Sequence, residues 1–293
     1  MNIQVRTDVI HIGYPKAAST FIEQFLKNHP EVTTDHNRVT DLLLSSLTTC
    51  RFVLAEKPAS TKIHYSRDES IAESVCSVGE SMAWRKHWYV PNAWDRVKNE
   101  IIVDPAQAAL RLHKVHPQAK VLILIREQAD WLQSVYKYAI SQLPWNRRSF
   151  GDYCTTPSGI VHLGAGHFDR TISAYLETFG SERICVLRFE DIYNKPKRFA
   201  AELCGFIGIS ERPLPKRREN ETHAQIARIQ RFFPLLEQLP RGVKNALKPR
   251  AMRLIPGARG AILSSRDIRM LRSFYAASNQ RTEKLIGQLP ASA

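Results

Sequence analysis

Cysteine is scarce and poorly placed for cross-linking. The five residues, at positions 50, 76, 154, 185 and 204, are odd in number and contain no Cys-x-x-Cys pair. This argues against a disulfide framework and against a thiolate zinc site, and reads as reduced thiols. Cys185 and Cys204 fall in apolar runs and are expected to serve as small core residues. His162 and His167 have no Cys or carboxylate at ligand spacing, so no metal site is expected. Long apolar runs are missing too. The longest, residues 121–125, is strand-sized against the roughly 20 residues of a membrane span. The first strand follows within a few residues of the start, with no apolar segment ahead of it, so a soluble, cytoplasmic protein is expected. There is no internal repeat and no low-complexity tract.

Acidic residues are also in deficit, with 28 Asp and Glu against 42 Lys and Arg, a net charge of +14. The imbalance concentrates late in the chain: residues 210–272 hold fifteen Lys or Arg and five acids. Such a surface favours anionic partners, namely an acidic glycan or glycolipid, or the inner face of an anionic membrane, with nucleic acid bound only nonspecifically. A solvated helix face is the bland explanation for any single one of these cations.

The 293 residues, 43% of them hydrophobic, are expected to form one domain with a basic, partly irregular C-terminal third from about residue 210. Periodicity predicts strands at 8–14, 51–54, 74–79, 120–125 and 183–189. Helical patterns fall between or after them at 20–28, 105–115, 130–142, 169–179 and 196–206. The alternation predicts an α/β fold: a mainly parallel central sheet flanked by helices, with ligands at the carboxyl ends of the strands. Residues 151–166 are rich in turn formers and read as a long loop, and 235–265 reads as irregular.

The densest chemical signal is Val9-Ile10-His11-Ile12-Gly13-Tyr14-Pro15-Lys16-Ala17-Ala18-Ser19-Thr20-Phe21-Ile22. An apolar run ends at Pro15, and Phe21, Ile22, Phe25 and Leu26 then recur at helical spacing. Ser19 and Thr20 therefore fall at a helix N-terminus. Unpaired N–H groups, two hydroxyls and the Lys16 ammonium make that position suited to a phosphate or sulfate. The nucleoside-triphosphatase loop Gly-x-x-x-x-Gly-Lys-Ser/Thr is absent, because Lys16 precedes the small residues and Ala18 replaces glycine. A second element, Lys120-Val-Leu-Ile-Leu-Ile-Arg126 followed by a helical pattern, ends a strand on a guanidinium, with Ser134 eight residues later. A fork at a strand end and a helical hydroxyl suit phosphate oxygens. If the two strands are neighbours, Lys16 and Arg126 share one rim of the sheet.

The order Pro15-Lys16-Ala17-Ala18-Ser19-Thr20-Phe21 resembles the phosphosulfate-binding loop of sulfotransferases that use 3′-phosphoadenosine 5′-phosphosulfate (PAPS), usually Pro-Lys-Ser-Gly-Thr-Thr-Trp. The spacing from Arg126 to Ser134 is similar to the pair that holds the 3′-phosphate in that family. Val186-Leu-Arg-Phe-Glu-Asp-Ile192, Leu203-Cys-Gly-Phe-Ile-Gly-Ile209 and the closing Asn279–Ile286 stretch resemble later segments of the bacterial members. The resemblance spans the chain apart from a variable stretch near 30–75. It implies a P-loop-like nucleotide-binding sulfotransferase fold, PAPS as donor and 3′,5′-diphosphoadenosine as product. It also implies a hydroxyl-bearing acceptor, a glycan or glycolipid, attacking sulfur in line. Lys16 is then the candidate to stabilise the leaving oxygen, with Ala17, Ala18, Ser19, Thr20, Phe21, Arg126 and Ser134 as cofactor-binding positions.

The base is open at the level of sequence. Ser77-Val-Gly-Glu80-Ser81 resembles the segment whose Glu serves as base in glycan-modifying members, which implies Glu80. His87, seven residues on, is the main rival, with His11, His36 and His64 behind it. Trp84, Trp88 and Trp94 could line an acceptor pocket, with helical packing explaining Trp84 and Trp88, four apart, equally well, and Trp131 fits either the adenine or the core. An Arg-Lys-Gly phosphate clamp is not evident; Arg250, Arg253, Arg259 and Arg281 are the substitutes considered. Ala18 in place of Gly demands a backbone compatible with a Cβ. Two other readings stand beside this one: a P-loop-type nucleotide or small-molecule kinase, and a noncatalytic polyanion- or membrane-binding module.

Overall fold

The structure, a computed structural model, describes residues 3–5, 7–14, 16–36, 53–55, 62–67, 105–142, 163–215 and 263–290. In chain order these form β1 (Ile3–Val5), β2 (Val9–Gly13), α1 (Ser19–Lys27), β3 (Val32–His36), β4 (Val53–Ala55) and β5 (Ile63–Arg67). There follow α2 (Pro105–Val115), β6 (Lys120–Ile125), α3 (Gln128–Gln142), a 3-10 turn (Leu163–Gly166), α4 (Phe168–Phe179) and a second 3-10 turn (Ser181–Arg183). Last come β7 (Ile184–Arg188), α5 (Asp191–Asn194), α6 (Pro196–Ile207) and α7 (Ser265–Ile286).

Five strands make a wholly parallel sheet in the order β3-β5-β2-β6-β7, and β1 pairs with β4 in a separate parallel ribbon. Parallel strands are covered on both faces and so read as continuous apolar runs. Val121 to Leu124 and Val9, Ile10 and Ile12 are almost fully buried and meet this description. The strand expected at 51–54 exists as β4, but it lies outside the main sheet. The strand expected at 74–79 lies outside the described residues. Two sheet strands, β3 and β5, fall in the stretch read as variable.

Register fixes which side chains share a face. His11 lies opposite Arg67 on one side and Leu122 on the other, so Val9, His11, Gly13, Tyr65 and Arg67 face one way. A Cβ on Gly13 would meet the His11 ring and the Ser19 Cβ, which puts the start of α1 on that face. Ile10, Ile12 and Tyr14 point to the other. There the Tyr14 ring packs edge-on to Trp131 of α3 at 5.5 Å and against Phe168 of α4 at 4.6 Å. Trp131 is fully buried in this cluster, which gives it a core role rather than one beside an adenine. Cys185 and Cys204 are buried free thiols, as their apolar setting predicts.

Helix ends follow local chemistry. Gly208 ends α6 in the left-handed region at φ 87°, and Pro196 opens it at the first turn. The closing helix is much longer than the terminal segment read from sequence. Its start is set by a reciprocal capping box between Ser264 and Asp267. Tyr275, fully buried, donates to the Leu163 carbonyl at 2.6 Å, and Arg281 pairs with the buried Asp169 at 2.6 Å. Arg281 is therefore tied to α4, whereas Arg250, Arg253 and Arg259 lie outside the described residues. No helix among the described residues is long and apolar enough to cross a membrane.

Candidate functional site

The carboxyl end of β2 is the point where the chain departs through α1 towards β3 on one side, while β6 pairs on the other. Open parallel sheets bind ligands at such crevices. The turn after β2 takes two non-glycine residues into the left-handed region, Lys16 at φ 66° and Ala18 at φ 69°. Each costs on the order of 1–2 kcal/mol. The chain thus adopts the bend despite the Cβ of Ala18. Turns of this kind gather successive N–H groups into an anion-binding concavity.

Ala18 caps α1 with a methyl group only and makes no side-chain hydrogen bond, and no acid stands in the first turn. The first-turn N–H groups have no intrahelical partner in any α-helix. Ala17 is fully buried and its N–H donates to the Tyr14 carbonyl at 3.1 Å, so it shapes the turn. Ser19 is buried, while Lys16, Ala18, Thr20 and Phe21 are half-buried.

The second element converges on the first. Arg126, directly after β6, donates from Nη1 to the Lys16 carbonyl at 3.1 Å and stacks its guanidinium 4.2 Å over the Phe189 ring. Burial lowers its proton affinity, with Asp130, Glu190 and Glu127 opposing that effect. Nearby acids are engaged elsewhere. Glu190 accepts from the Glu127 N–H at 2.9 Å, and Glu127 accepts from the Asp130 N–H at 2.9 Å. Ser134 sits half-buried about two turns into α3 and shares no hydrogen bond with Arg126 among the described residues. Phe189 and Glu190, in the Val186–Ile192 segment that resembles the family, thus prove to be neighbours of Arg126.

Arg67, at the end of β5, was missed from sequence. It is 6% exposed and donates to Thr20 Oγ1 at 3.0 Å, with Glu23 Oε2 3.0 Å from its other terminal nitrogen. His11 lies fully buried beneath the same helix end, its Nδ1 hydrogen-bonded to the Tyr65 hydroxyl and its Nε2 without a partner among the described residues. Burial, reinforced by the Arg67 charge, pushes its pKa down to about 3, so the ring is neutral near pH 7. His11 is thus a strand histidine under the loop. His64, buried beside Thr7, is likewise structural. His36 closes β3, and the two main candidates for base, Glu80 and His87, lie outside the described residues, as do Trp84, Trp88 and Trp94. No cluster of metal-ligating side chains occurs among the described residues.

A left-handed turn, a helix start and a half-buried guanidinium thus meet on one rim of a parallel α/β sheet, an arrangement suited to an anion. The chain belongs to the sulfotransferase family, whose model matches residues 8–213. That span holds both converging elements, and the chemistry is sulfuryl transfer. The crystal structure of a sulfotransferase from Alicyclobacillus acidocaldarius is similar in fold, with 14% identity, 98% of each chain covered and a TM-score of 0.56. No curated protein sequence gave a significant match.

Proposed function

We propose that the protein transfers the sulfuryl group of PAPS to a hydroxyl of a carbohydrate, glycolipid or related metabolite by in-line displacement. The observation that carries this reading is the Arg126-to-Lys16 hydrogen bond, which joins two elements 110 residues apart on one rim. The donor set fits the group. A helix start without an acidic residue, two hydroxyls, an ammonium and a guanidinium favour an anion at both of its charged ends.

In this reading Lys16 offsets charge developing on the leaving oxygen, and the bend at Ala17 and Ala18 presents the N–H groups of Ser19 and Thr20. Phe21 walls the loop, and Arg126 with Ser134 holds the 3′-phosphate. Glu80 takes the acceptor proton, with His87 as the competing base. The chain acts as one domain in the cytoplasm, its basic C-terminal third drawing anionic acceptors or an anionic membrane face towards it.

Isothermal titration with 3′,5′-diphosphoadenosine, set against ATP plus magnesium, tests the donor assignment. Tight, metal-independent binding of the diphosphate is expected, with Glu80→Gln sparing that affinity and abolishing transfer. Preference for ATP would turn the reading to a kinase, and binding of neither to a noncatalytic module. Retained transfer in Glu80→Gln would hand the proton to His87.

A further inference from the structure

The polar cluster between α1 and the sheet has a feature that the donor site alone does not require. Arg67 reaches from β5 to Thr20, 47 residues earlier, and its fork spans two residues on α1: Thr20 Oγ1 at 3.0 Å and Glu23 Oε2 at 3.0 Å. A guanidinium is donor-only, so Thr20 must accept. The hydroxyl has one proton, and with its oxygen turned towards Arg67 that proton is left to donate. Thr20 makes no other side-chain hydrogen bond among the described residues. Glu23 offsets the Arg67 charge, so the pair contributes direction rather than net attraction for an anion.

We infer that Arg67 is a positioning residue of the donor site, which orients the Thr20 hydroxyl as a hydrogen-bond donor to the bound anion. The inference rests on the donor reading above. Arg67 acts through Thr20 and touches no reacting atom. A lysine in its place keeps the charge but has no planar fork to span Thr20 and Glu23 together.

The test is a double-mutant cycle read by titration with 3′,5′-diphosphoadenosine. Thr20→Val should weaken binding about tenfold, the worth of one hydrogen bond to a charged group. Arg67→Lys should weaken it to a similar degree, and the double variant should lose no more than either single one. A structural Arg67 would weaken binding by the same factor whether or not residue 20 carries a hydroxyl. Multiplied losses of about a hundredfold, or native affinity in Arg67→Lys, would overturn the inference. Should Arg67→Lys fail to fold, Arg67→Gln combined with Glu23→Gln replaces it in the cycle, because that pair leaves no unpaired charge under the helix. If the unmodified protein does not bind the diphosphate, the donor reading fails and the inference with it. If it binds and the cycle is multiplicative, only the role of Arg67 fails.

Discussion

Arg67 ends β5 and Arg126 directly follows β6, the two strands that flank β2, on the same rim and beside the same turn, yet they are held in opposite ways. Arg67 spends its fork on a hydroxyl and a carboxylate of α1. Arg126 is anchored by a neutral carbonyl and an aromatic face, and no carboxylate lies within ion-pair distance of it among the described residues. Glu127 and Glu190, its nearest acids in sequence and space, accept backbone N–H groups instead. Arg126 is half-buried, so its charge is partly hydrated rather than ion-paired. The difference teaches that on the α1 side of the rim the cation is offset in place by Glu23, while on the β6 side no ion pair among the described residues offsets it.

The largest expected effect separates the two residues. Arg67→Ala removes the buried side chain that bridges Thr20 and Glu23 and should cost about 3 kcal/mol in urea unfolding. Arg126→Ala should leave unfolding nearly unchanged and weaken 3′,5′-diphosphoadenosine binding by about 2 kcal/mol. Equal losses of stability in the two variants would break the comparison. The next effect concerns His11, which lies opposite Arg67 in the register. Its pKa falls from 6.5 to about 3 on folding. Between those values the unfolded chain binds more protons than the native one, so stability declines as pH falls from 6.5 towards 3. The slope approaches about 1.4 kcal/mol per pH unit. His11→Gln should remove that slope between pH 6.5 and 5, above the range where most carboxylates titrate; parallel curves would refute the assignment. The smallest effect lies in the turn between the two arginines. Ala18→Gly relieves a left-handed alanine at φ 69° and should stabilise the fold by about 0.5–1 kcal/mol, read as a rise in the unfolding midpoint. An unchanged or lower midpoint would show that the bend stores no strain at that residue.

How far the site could be read from sequence follows the same division. The run Val121-Leu-Ile-Leu-Ile125 is apolar because both faces of β6 are covered, so strand, rim and Arg126 were legible together. β5 reads Ile63-His-Tyr-Ser-Arg67, and nothing in it looks like a buried strand. Its polar groups are satisfied by partners distant in sequence: Thr7 for Ser66 and His64, His11 for Tyr65, Thr20 and Glu23 for Arg67. Long-range pairing of that kind leaves no periodicity to detect. The only local hint was a cation closing a short, mostly polar run. The loop at Lys16 was legible from residue order, and its two left-handed residues were not, since neither is glycine. The extent of α7 was hidden by its sparse apolar spacing: among its buried positions are Leu271, Tyr275, Ser278 and Thr282, half of them polar.

Gly13 and Tyr14, adjacent at the end of β2, occupy opposite faces of the sheet, and only one of the two places has room for a side chain. Beside His11 and Ser19 even a methyl group would come within 2.9 Å of the imidazole, whereas Tyr14 fills a pocket against Trp131 and Phe168 and donates to Thr171 at 2.9 Å. A strand that paired one residue out of step would exchange the two. The pocket formed by Trp131 and Phe168 on the neighbouring helices would be left empty. The Tyr14 phenol therefore acts as a register pin at the end of β2, since a one-residue slip forfeits both its pocket and its hydrogen bond to Thr171.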